Sequence, residues 1–480
     1  MAATEDDCPK LGAHIRAWDY EFEWTPEHMT PEQMRPLMFT YDKLATESLD
    51  RLDELISSVP LRPTRKTPSS SDTQRPQEGS PPKGCPHSDF YELLKEHAPN
   101  DPTLRRLWTE VNTVPDWVDW AEIERGQQVF YRFGGPSIVS LTFHALLGGM
   151  GSHRIVETLS RTGGFGVKVA RRRLLETFQH VLDVTESLPS IQPGGRGFAS
   201  TLRVRFLHAS VRRRILRLAA KDPSYFDTST LGIPISDLDS IGTVLTFSAD
   251  LIWVGFPRQG IHLTPSETSS YLALWRYVAY LLGTPTTPLS TPSLAKAFME
   301  SIVLFDIAPS PTSCILANNI IAALQNQPPS YASASFLRAE AYWLNGKELA
   351  TKLSIPEPPV FYTLLVAGQC LFFMTMTCLK RTFPSFDKSS IIKMRRRLRE
   401  LTLEQVGGEE AKHAFQYVPE PGFMTTDDGD EVKKERWNVS VWANASVERR
   451  NMLAVVVAAG VAWVCAWNAF AVAGRVSALL

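Results

Sequence analysis

Apolar residues recur at helical spacing along most of the chain after residue 89. Positions i, i+3 and i+4 share one face of an α-helix, whereas strict alternation indicates a strand, and alternating runs are scarce in this sequence. The helical spacing is clearest at 129–150, 167–187, 201–219, 268–283 and 293–304. Segments rich in glycine and proline at 193–198 and 283–288 separate these helices. The pattern therefore predicts an all-α fold.

The composition changes sharply between residues 61 and 88, which are rich in proline, serine and charge and contain almost nothing apolar. Such a segment buries too little surface to fold, so it is interpreted as a disordered linker. It separates an N-terminal helical segment, residues 1–60, from a predicted helical domain at 89–400. Residues 401–450 are interpreted as a connecting region.

The C-terminal part of the chain contains a 22-residue stretch without charge, residues 452–473. At 1.5 Å of rise per residue, this length is enough to cross a bilayer. A buried terminal helix is the alternative, but arginines before and after the stretch favour a transmembrane tail anchor. The N-terminus is acidic and polar, unlike a signal peptide, so the main domain is expected to face the cytosol.

A second apolar stretch, residues 360–379, is nearly long enough to span a membrane. Gln369 lies at its centre, and several threonines interrupt it. These polar residues favour a core helix of the large domain over a second span, although a membrane crossing stays open.

The charge and cysteine content exclude several classes of protein. The chain has 50 basic and 51 acidic residues, for a net charge of −1, so bulk electrostatics do not suggest a nucleic-acid partner. The six cysteines are scattered without a CxxC pair, which argues against a disulfide scaffold and a zinc or iron–sulfur site. Neither HExxH nor GxSxG occurs, so the motifs of zinc metallohydrolases and serine hydrolases are absent.

One histidine interrupts an apolar helical stripe in "TLRVRFLHASVRRRIL", residues 201–216. Arg205 lies three residues before His208 and Arg212 four residues after it, so both flank the imidazole. Two nearby cations disfavour the imidazolium and leave a lone pair available, as a metal ligand requires. Haem suits this set, with an axial site for the imidazole and propionates for the arginines. From the residues alone, a core histidine bonded to a neighbouring helix is the commoner alternative.

Two further polar sets lie upstream. In "ARRRLLETFQHVLDV", Arg173 and Thr177 share a helical face, with Glu176 on an adjacent stripe. In "HRIVETLSRTGGFG", Glu157 lies on a short helix that is predicted to end at Gly163–Gly164.

These motifs resemble the catalytic core of the superfamily that contains rubber oxygenases (latex-clearing proteins) and mycophenolic-acid-type oxygenases. The family's Arg-x-x-His-x-x-x-Arg motif is matched by Arg205, His208 and Arg212. Its upstream Arg-x-x-x-Thr pair is matched by Arg173 and Thr177. The resemblance extends over roughly residues 110–310 and includes "VLTFSADLIWVGFPRQG" and "SYLALWRYVAYLLGTP".

The resemblance implies a globin-like helical core that holds haem b, with His208 as the iron ligand. Arg205 and Arg212 would hold the propionates, or one of them would brace the histidine helix. Glu157 falls at the position of the family's proposed active-site base. Arg173 and Thr177 would order the distal helix.

The sequence departs from the rubber oxygenases at one position. Those enzymes have a lysine directly before the motif threonine, where this chain has Glu176, so the lysine's distal role is not carried over. A carboxylate there is expected to be protonated or to pair with Arg173 or His180.

The expected function is therefore that of a membrane-anchored, haem-dependent oxygenase, bound to the endoplasmic reticulum. It would use O2 to cleave a C=C bond in the prenyl or terpenoid chain of a small lipophilic metabolite, as the mycophenolic-type branch does. A non-enzymatic membrane protein that retains the fold is one alternative. A haem enzyme that hydroxylates or peroxidises a terpenoid is another.

Overall fold

The structure is a computed structural model that describes residues 8–58, 89–161, 165–406 and 446–460. Within these ranges the chain is helical almost throughout, and the strands form a single two-stranded hairpin. The all-α prediction is confirmed. The predicted linker at 61–88 and most of the connecting region at 401–450 lie outside the described residues, as do Gly163–Gly164.

The α-helices are numbered in chain order. They are α1 Pro31–Met34, α2 Lys43–Ser58, α3 Phe90–His97, α4 Pro102–Asn112, α5 Trp120–Arg132, α6 Gly134–Val139, α7 His153–Ser160, α8 Val167–Thr185, α9 Leu188–Ile191, α10 Arg196–Lys221, α11 Thr228–Leu231, α12 Asp237–Phe247, α13 Pro265–Leu281, α14 Pro292–Phe305, α15 Pro311–Leu324, α16 Ala334–Lys352, α17 Val360–Thr382 and α18 Pro384–Val406. Residues 446–460, here called the tail helix, are also helical. Four of the predicted helices correspond to α8, α10, α13 and α14, within a few residues at each end.

The helix predicted at 129–150 is instead divided among four elements, the last of them a 3-10 turn at Gly148–Gly151. It includes the end of α5, then α6, and then a π-helical segment at Ser140–Leu147. A second π-helical segment, Leu251–Gly255, follows α12. A π-helix has hydrogen bonds from residue i to i+5 instead of i to i+4 and occurs in short segments within α-helices. Over such short segments, the spacing of apolar residues does not distinguish the two kinds of helix.

The N-terminal segment contains an antiparallel hairpin, β1 His14–Ala17 and β2 Tyr20–Glu23. Its two-residue loop, Trp18 and Asp19, has positive φ at both positions, as a tight hairpin turn requires. The Asp19 carboxylate accepts a hydrogen bond from the backbone N–H of Glu348 at 3.2 Å, beside a kink at Gly346 within α16. The helical description of residues 1–60 was therefore incomplete.

The N-terminal segment also packs into the main helical body. Leu49 and Leu52 of α2 are fully buried in the same apolar core as Phe130 of α5, Phe206 of α10 and Trp275 of α13. A second core joins α15 and α16 to the π-helical segment Ser140–Leu147. The first core fixes the position of α10, which carries His208.

Helices α8 and α10 approach closely where α10 begins. A Cβ atom at Gly197 would meet the carbonyl oxygen of Asp183 at 2.5 Å, so only glycine fits at this position. The Oγ of Ser190 accepts a hydrogen bond from the N–H of Gly197 at 3.1 Å and donates one to the same Asp183 carbonyl at 2.6 Å. The contact fixes the N-terminal end of α10 against α8.

Two helical stretches are long and apolar enough to cross a membrane, among the residues described: Asp237–Gly255 and Val360–Thr382. The first is mostly buried and is a core helix. The second, α17, packs one face on the protein, as predicted for a core helix, but its other face is exposed. The predicted transmembrane stretch 452–473 is described only as far as Gly460, and its remainder lies outside the described residues.

Candidate functional site

His208 lies near the middle of α10, on the stripe that the sequence indicated. The residue is half-buried, and burial together with the charge of Arg212 lowers the pKa of its imidazole to about 4. Within the described chain, neither ring nitrogen makes a hydrogen bond or ion pair. His208 is therefore a neutral imidazole with an available lone pair.

A second neutral histidine comes from the neighbouring helix α8. The Nδ1 atom of His180 lies 3.0 Å from the Oγ of Ser200. Burial and the nearby His208 together lower the pKa of His180 to about 4. Because two imidazolium charges would repel each other there, each histidine favours the neutral form of the other.

Arg205 is tied to acidic residues rather than directed towards the histidine. It is 3% exposed, and its Nε and Nη2 atoms donate to the two oxygens of Asp42 at 2.7 and 3.0 Å. Nη2 also donates to Glu110 at 2.9 Å, and Nη1 donates to the carbonyl of Leu281 at 3.4 Å. These contacts join α10 to α4, α13 and the residue before α2.

Arg212 makes a second connection to the same region. Its Nη1 atom donates to the carbonyl of Asp42 at 3.3 Å and to the Oγ1 of Thr46 at 3.2 Å. Its Nη2 atom donates to the carbonyl of Ile235 at 2.8 Å, and its guanidinium carbon lies 4.7 Å from the centre of the Tyr41 ring. Both motif arginines thus brace α10, one turn to either side of His208.

Glu157 is held on α7 by two basic side chains. Its carboxylate forms an ion pair with Arg161 and lies 3.9 Å from the Nδ1 of His153. The guanidinium carbon of Arg161 also lies over the rings of Tyr225 and Phe226, at 5.6 and 5.5 Å from their centres. No hydrogen bond or ion pair joins Glu157 to His208 in the described chain.

The polar residues of α8 point in different directions. The guanidinium of Arg173 lies over the ring of Phe165 at 5.7 Å, whereas Thr177 is exposed. The Glu176 carboxylate accepts a hydrogen bond from the Nε of Arg172 at 2.8 Å. The pairing expected for Glu176, with Arg173 or His180, is therefore wrong, because Arg172 lies one helical turn before it on the same face.

The sequence comparison with known families decides what kind of protein this is. A model of the "ER-bound oxygenase mpaB/B'/Rubber oxygenase, catalytic domain" matches residues 131–372, about half of the chain. The chain belongs to this family. The matched region contains every residue proposed for the site, from Glu157 to Arg212, so the expected superfamily is confirmed.

Two individual relatives of this oxygenase domain can be named. Aurantioclavine synthase cnsA of Penicillium expansum is 56% identical over 32 residues, which are 7% of this chain and 7% of that protein. The chain therefore matches only a small part of that relative's length. The structure of latex clearing protein LCP in the closed state covers 75% of this chain and 91% of its own, with a TM-score of 0.53 and 18% identity. At this identity the likeness shows the fold alone.

The oxygenase domain also contains a polar pair that sequence reasoning missed. His144, in the first π-helical segment, and Asp250, directly before the second, line a cavity of about 70 Å³. The Nε2 of His144 lies 4.0 Å from an Asp250 oxygen and makes no hydrogen bond. Periodicity gave no signal for this pair, because its partners are far apart in sequence.

A neighbouring amide determines which nitrogen of His144 carries the proton. The Nδ2 of Asn345 donates to the carbonyls of Phe143 and Ala341 at 2.7 and 2.9 Å. Its Oδ1 must then accept from the Nδ1 of His144, 3.1 Å away. Burial lowers the pKa of His144 to about 4, so its Nε2 presents a bare lone pair to the cavity.

Proposed function

We propose that this chain is a membrane-anchored, haem b-dependent oxygenase. Its reaction is the O2-dependent cleavage of a C=C bond in the prenyl or terpenoid chain of a small lipophilic metabolite. Family membership supports the reaction class. The observation that carries the proposal is the state of His208, a half-buried, neutral imidazole without a hydrogen-bond partner in the described chain.

The residues present fit a haem group on the side of the iron ligand. Neither ring nitrogen of His208 has a protein partner in the described chain, so a lone pair of the neutral imidazole is available to coordinate iron. Haem, when bound, supplies the iron at which O2 binds and is activated. His208 would hold the iron, and the neutral His180 beside it adds no competing charge.

The two motif arginines would then position the ligand helix instead of binding propionates. Each already has protein acceptors for its guanidinium, through Asp42, Glu110 and backbone carbonyls. Of the two roles that the resemblance allowed, the contacts favour bracing. A braced helix keeps the imidazole at one position and orientation, as a metal ligand requires.

Glu157 would accept an allylic proton from the substrate. The adjacent guanidinium of Arg161 holds in place the carboxylate that would act as the general base. Arg173 and Thr177 would order α8 around the substrate. Glu176, paired with Arg172, takes no part in this step.

The chemistry of the substrate follows from the proposed anchor. A prenylated metabolite partitions into lipid, where an enzyme attached through residues 452–473 can bind it. We place the anchor in the membrane of the endoplasmic reticulum, with the main domain in the cytosol. No nucleic acid is involved.

The first experiment is optical. The full chain, purified in detergent, should show a Soret band, a b-type pyridine haemochrome spectrum and a CO-bound form after reduction. His208→Ala should lose most of the haem, whereas His262→Ala, which changes an exposed histidine, should retain it. A colourless wild-type protein with intact helices, or full haem content in His208→Ala, would refute the proposal.

The second experiment tests the reaction. With a farnesylated aromatic alcohol as the test substrate, the protein should consume O2 and release carbonyl-containing fragments. Haem binding without oxygen consumption would instead support a non-enzymatic protein that retains the fold. A hydroxylated or peroxidised product would support the third alternative.

A further inference from the structure

Helix α17 presents a continuous apolar face to the outside of the protein. Val360, Leu364, Leu371 and Met374 lie on this face and are between 42% and 75% exposed. Their spacing places them along one side of the helix over its first four turns, and no charged residue occurs between Val360 and Leu379. An apolar strip of this length is unusual on a soluble monomer.

The opposite face of α17 is fixed to the protein, so the helix does not cross a membrane alone. Leu365, Val366 and Phe373 are buried, and the Nε2 of Gln369 donates a hydrogen bond to the buried carboxyl group of Glu340 in α16. Burial raises the pKa of Glu340 to about 8. Lipid on both sides would leave this polar contact without a protein environment.

The tail helix packs directly beside α17 and extends its apolar face. A Cβ atom at Gly368 would meet the carbonyl oxygen of Asn451 at 2.5 Å and the Cγ2 of Val455 at 2.6 Å. The Nδ2 of Asn451 donates to the Oε1 of Gln369 at 3.2 Å. On the outer side, Leu453 and Val456 are 63% and 55% exposed.

The same surface continues onto the start of α18, where its character changes. Phe383, Phe386 and Ile392 are exposed, and the exposed cations Lys388 and Lys393 alternate with them. Aromatic and basic side chains together are typical of the level of lipid headgroups. Such a border is the composition expected where an apolar surface meets anionic headgroups.

We propose that the outer faces of α17 and the tail helix, bordered by the start of α18, lie in one leaflet of the membrane that the tail enters. This inference rests on the proposed tail anchor. The charge-free stretch at 452–473 starts on this surface, so a bilayer that receives the stretch necessarily meets α17 beside it. The α17 surface, in contrast to the anchor, is part of the catalytic domain and fixes how that domain is oriented to lipid.

The test is photocrosslinking of the full chain in nanodiscs that hold one copy each. The bilayer is phosphatidylcholine and phosphatidylserine with a diazirine-labelled acyl chain. Trypsin separates residues 353–380, which contain the α17 face, from residues 451–475, which contain the tail. Residues 107–125, with the exposed Val114 on another part of the surface, are the control peptide.

Lipid adducts are expected on both 353–380 and 451–475, and not on 107–125. The double variant Leu364→Glu/Leu371→Glu should reduce adducts on its α17 peptide by about fivefold or more, because carboxylates disfavour insertion. Val114→Glu should change nothing, and circular dichroism verifies that all variants are folded. Adducts confined to 451–475 would overturn the inference and leave the anchor intact, whereas adducts on neither peptide would refute the anchor itself.

Discussion

The carboxylate of Asp42 receives two hydrogen bonds from Arg205, at 2.7 and 3.0 Å. The carbonyl of the same residue accepts one from Arg212. A single residue before α2 thus restrains both arginines that flank His208. The family motif is held from outside the matched region, since that region begins only at residue 131.

The first prediction concerns this restraint. Arg205→Ala should lower the free energy of unfolding by about 3–5 kcal/mol, because it removes the cation from the largely buried carboxylate of Asp42. Urea denaturation of the full chain measures the loss. Arg213→Ala is the matched control, since Arg213 joins the same α10 to Asp50 and Asp53 of α2, but at the surface. It should cost about 1 kcal/mol or less, and equal losses in the two variants would contradict the assignment.

The second prediction concerns pH and Asp250. Burial raises the pKa of Asp250 to about 7, against about 4 in an unfolded chain. Between these values the folded protein keeps a proton that the unfolded chain releases, so stability falls as pH rises through this window. Asp250→Asn removes the ionisable group and should stabilise the protein more at pH 8 than at pH 5, by about 1–3 kcal/mol.

Urea denaturation at the two pH values measures this difference. Asp227→Asn serves as the control, because hydroxyl hydrogen bonds lower the pKa of Asp227 to about 2, and the carboxylate stays ionised throughout. Its effect should be the same at both pH values. A gain from Asp250→Asn that does not change with pH would show that Asp250 has no raised pKa.

The third prediction concerns the close contact between α17 and the tail helix. A leucine in place of Gly368 overlaps the backbone of Asn451, so Gly368→Leu should displace the tail helix. Hydrogen exchange of residues 446–460 should then accelerate by about tenfold or more. Thr375→Leu places the same side chain at an exposed position of α17 and should leave exchange unchanged. Unaltered protection in Gly368→Leu would mean that the two helices do not depend on this contact.

The fourth prediction tests the proposed base. Glu157→Gln keeps the size of the side chain and removes its basicity, so kcat should fall by about 10²-fold or more while the Soret band persists. Glu124→Gln, an exposed change on α5, should retain full turnover. If Glu157→Gln retained nearly wild-type activity, Glu157 would not be the base, and another group would have to accept the proton.

The spacing of apolar residues was sufficient to predict those helices that are determined by interactions between residues close in sequence. The boundaries of α8, α10, α13 and α14 followed from apolar spacing, and α13 begins where Thr264 and Glu267 cap each other's backbone at 3.3 and 2.8 Å. The hairpin was missed, although Tyr20–Glu23 alternates as a strand does. Its four residues are too few to stand out in a helical chain.

At the candidate site, by contrast, the sequence did not predict which residues contact one another. The sequence indicated His208 and its two arginines, but not that Asp42 restrains both, because more than 160 residues separate the partners. The pair of His144 and Asp250 was invisible for the same reason. Such contacts depend on how helices that are far apart in the chain pack together, and this packing cannot be predicted from a single sequence.

The glycine at position 197 has a consequence for the histidine further along the same helix. From residue 197 to residue 208 an α-helix rises about 16 Å, and a helix is stiff over that length. A tilt of only about 5° at the Asp183 contact would shift the imidazole by more than an ångström, which is enough to disturb ligation. The absence of a side chain at residue 197 therefore determines the direction of α10 and, through it, the position of the imidazole.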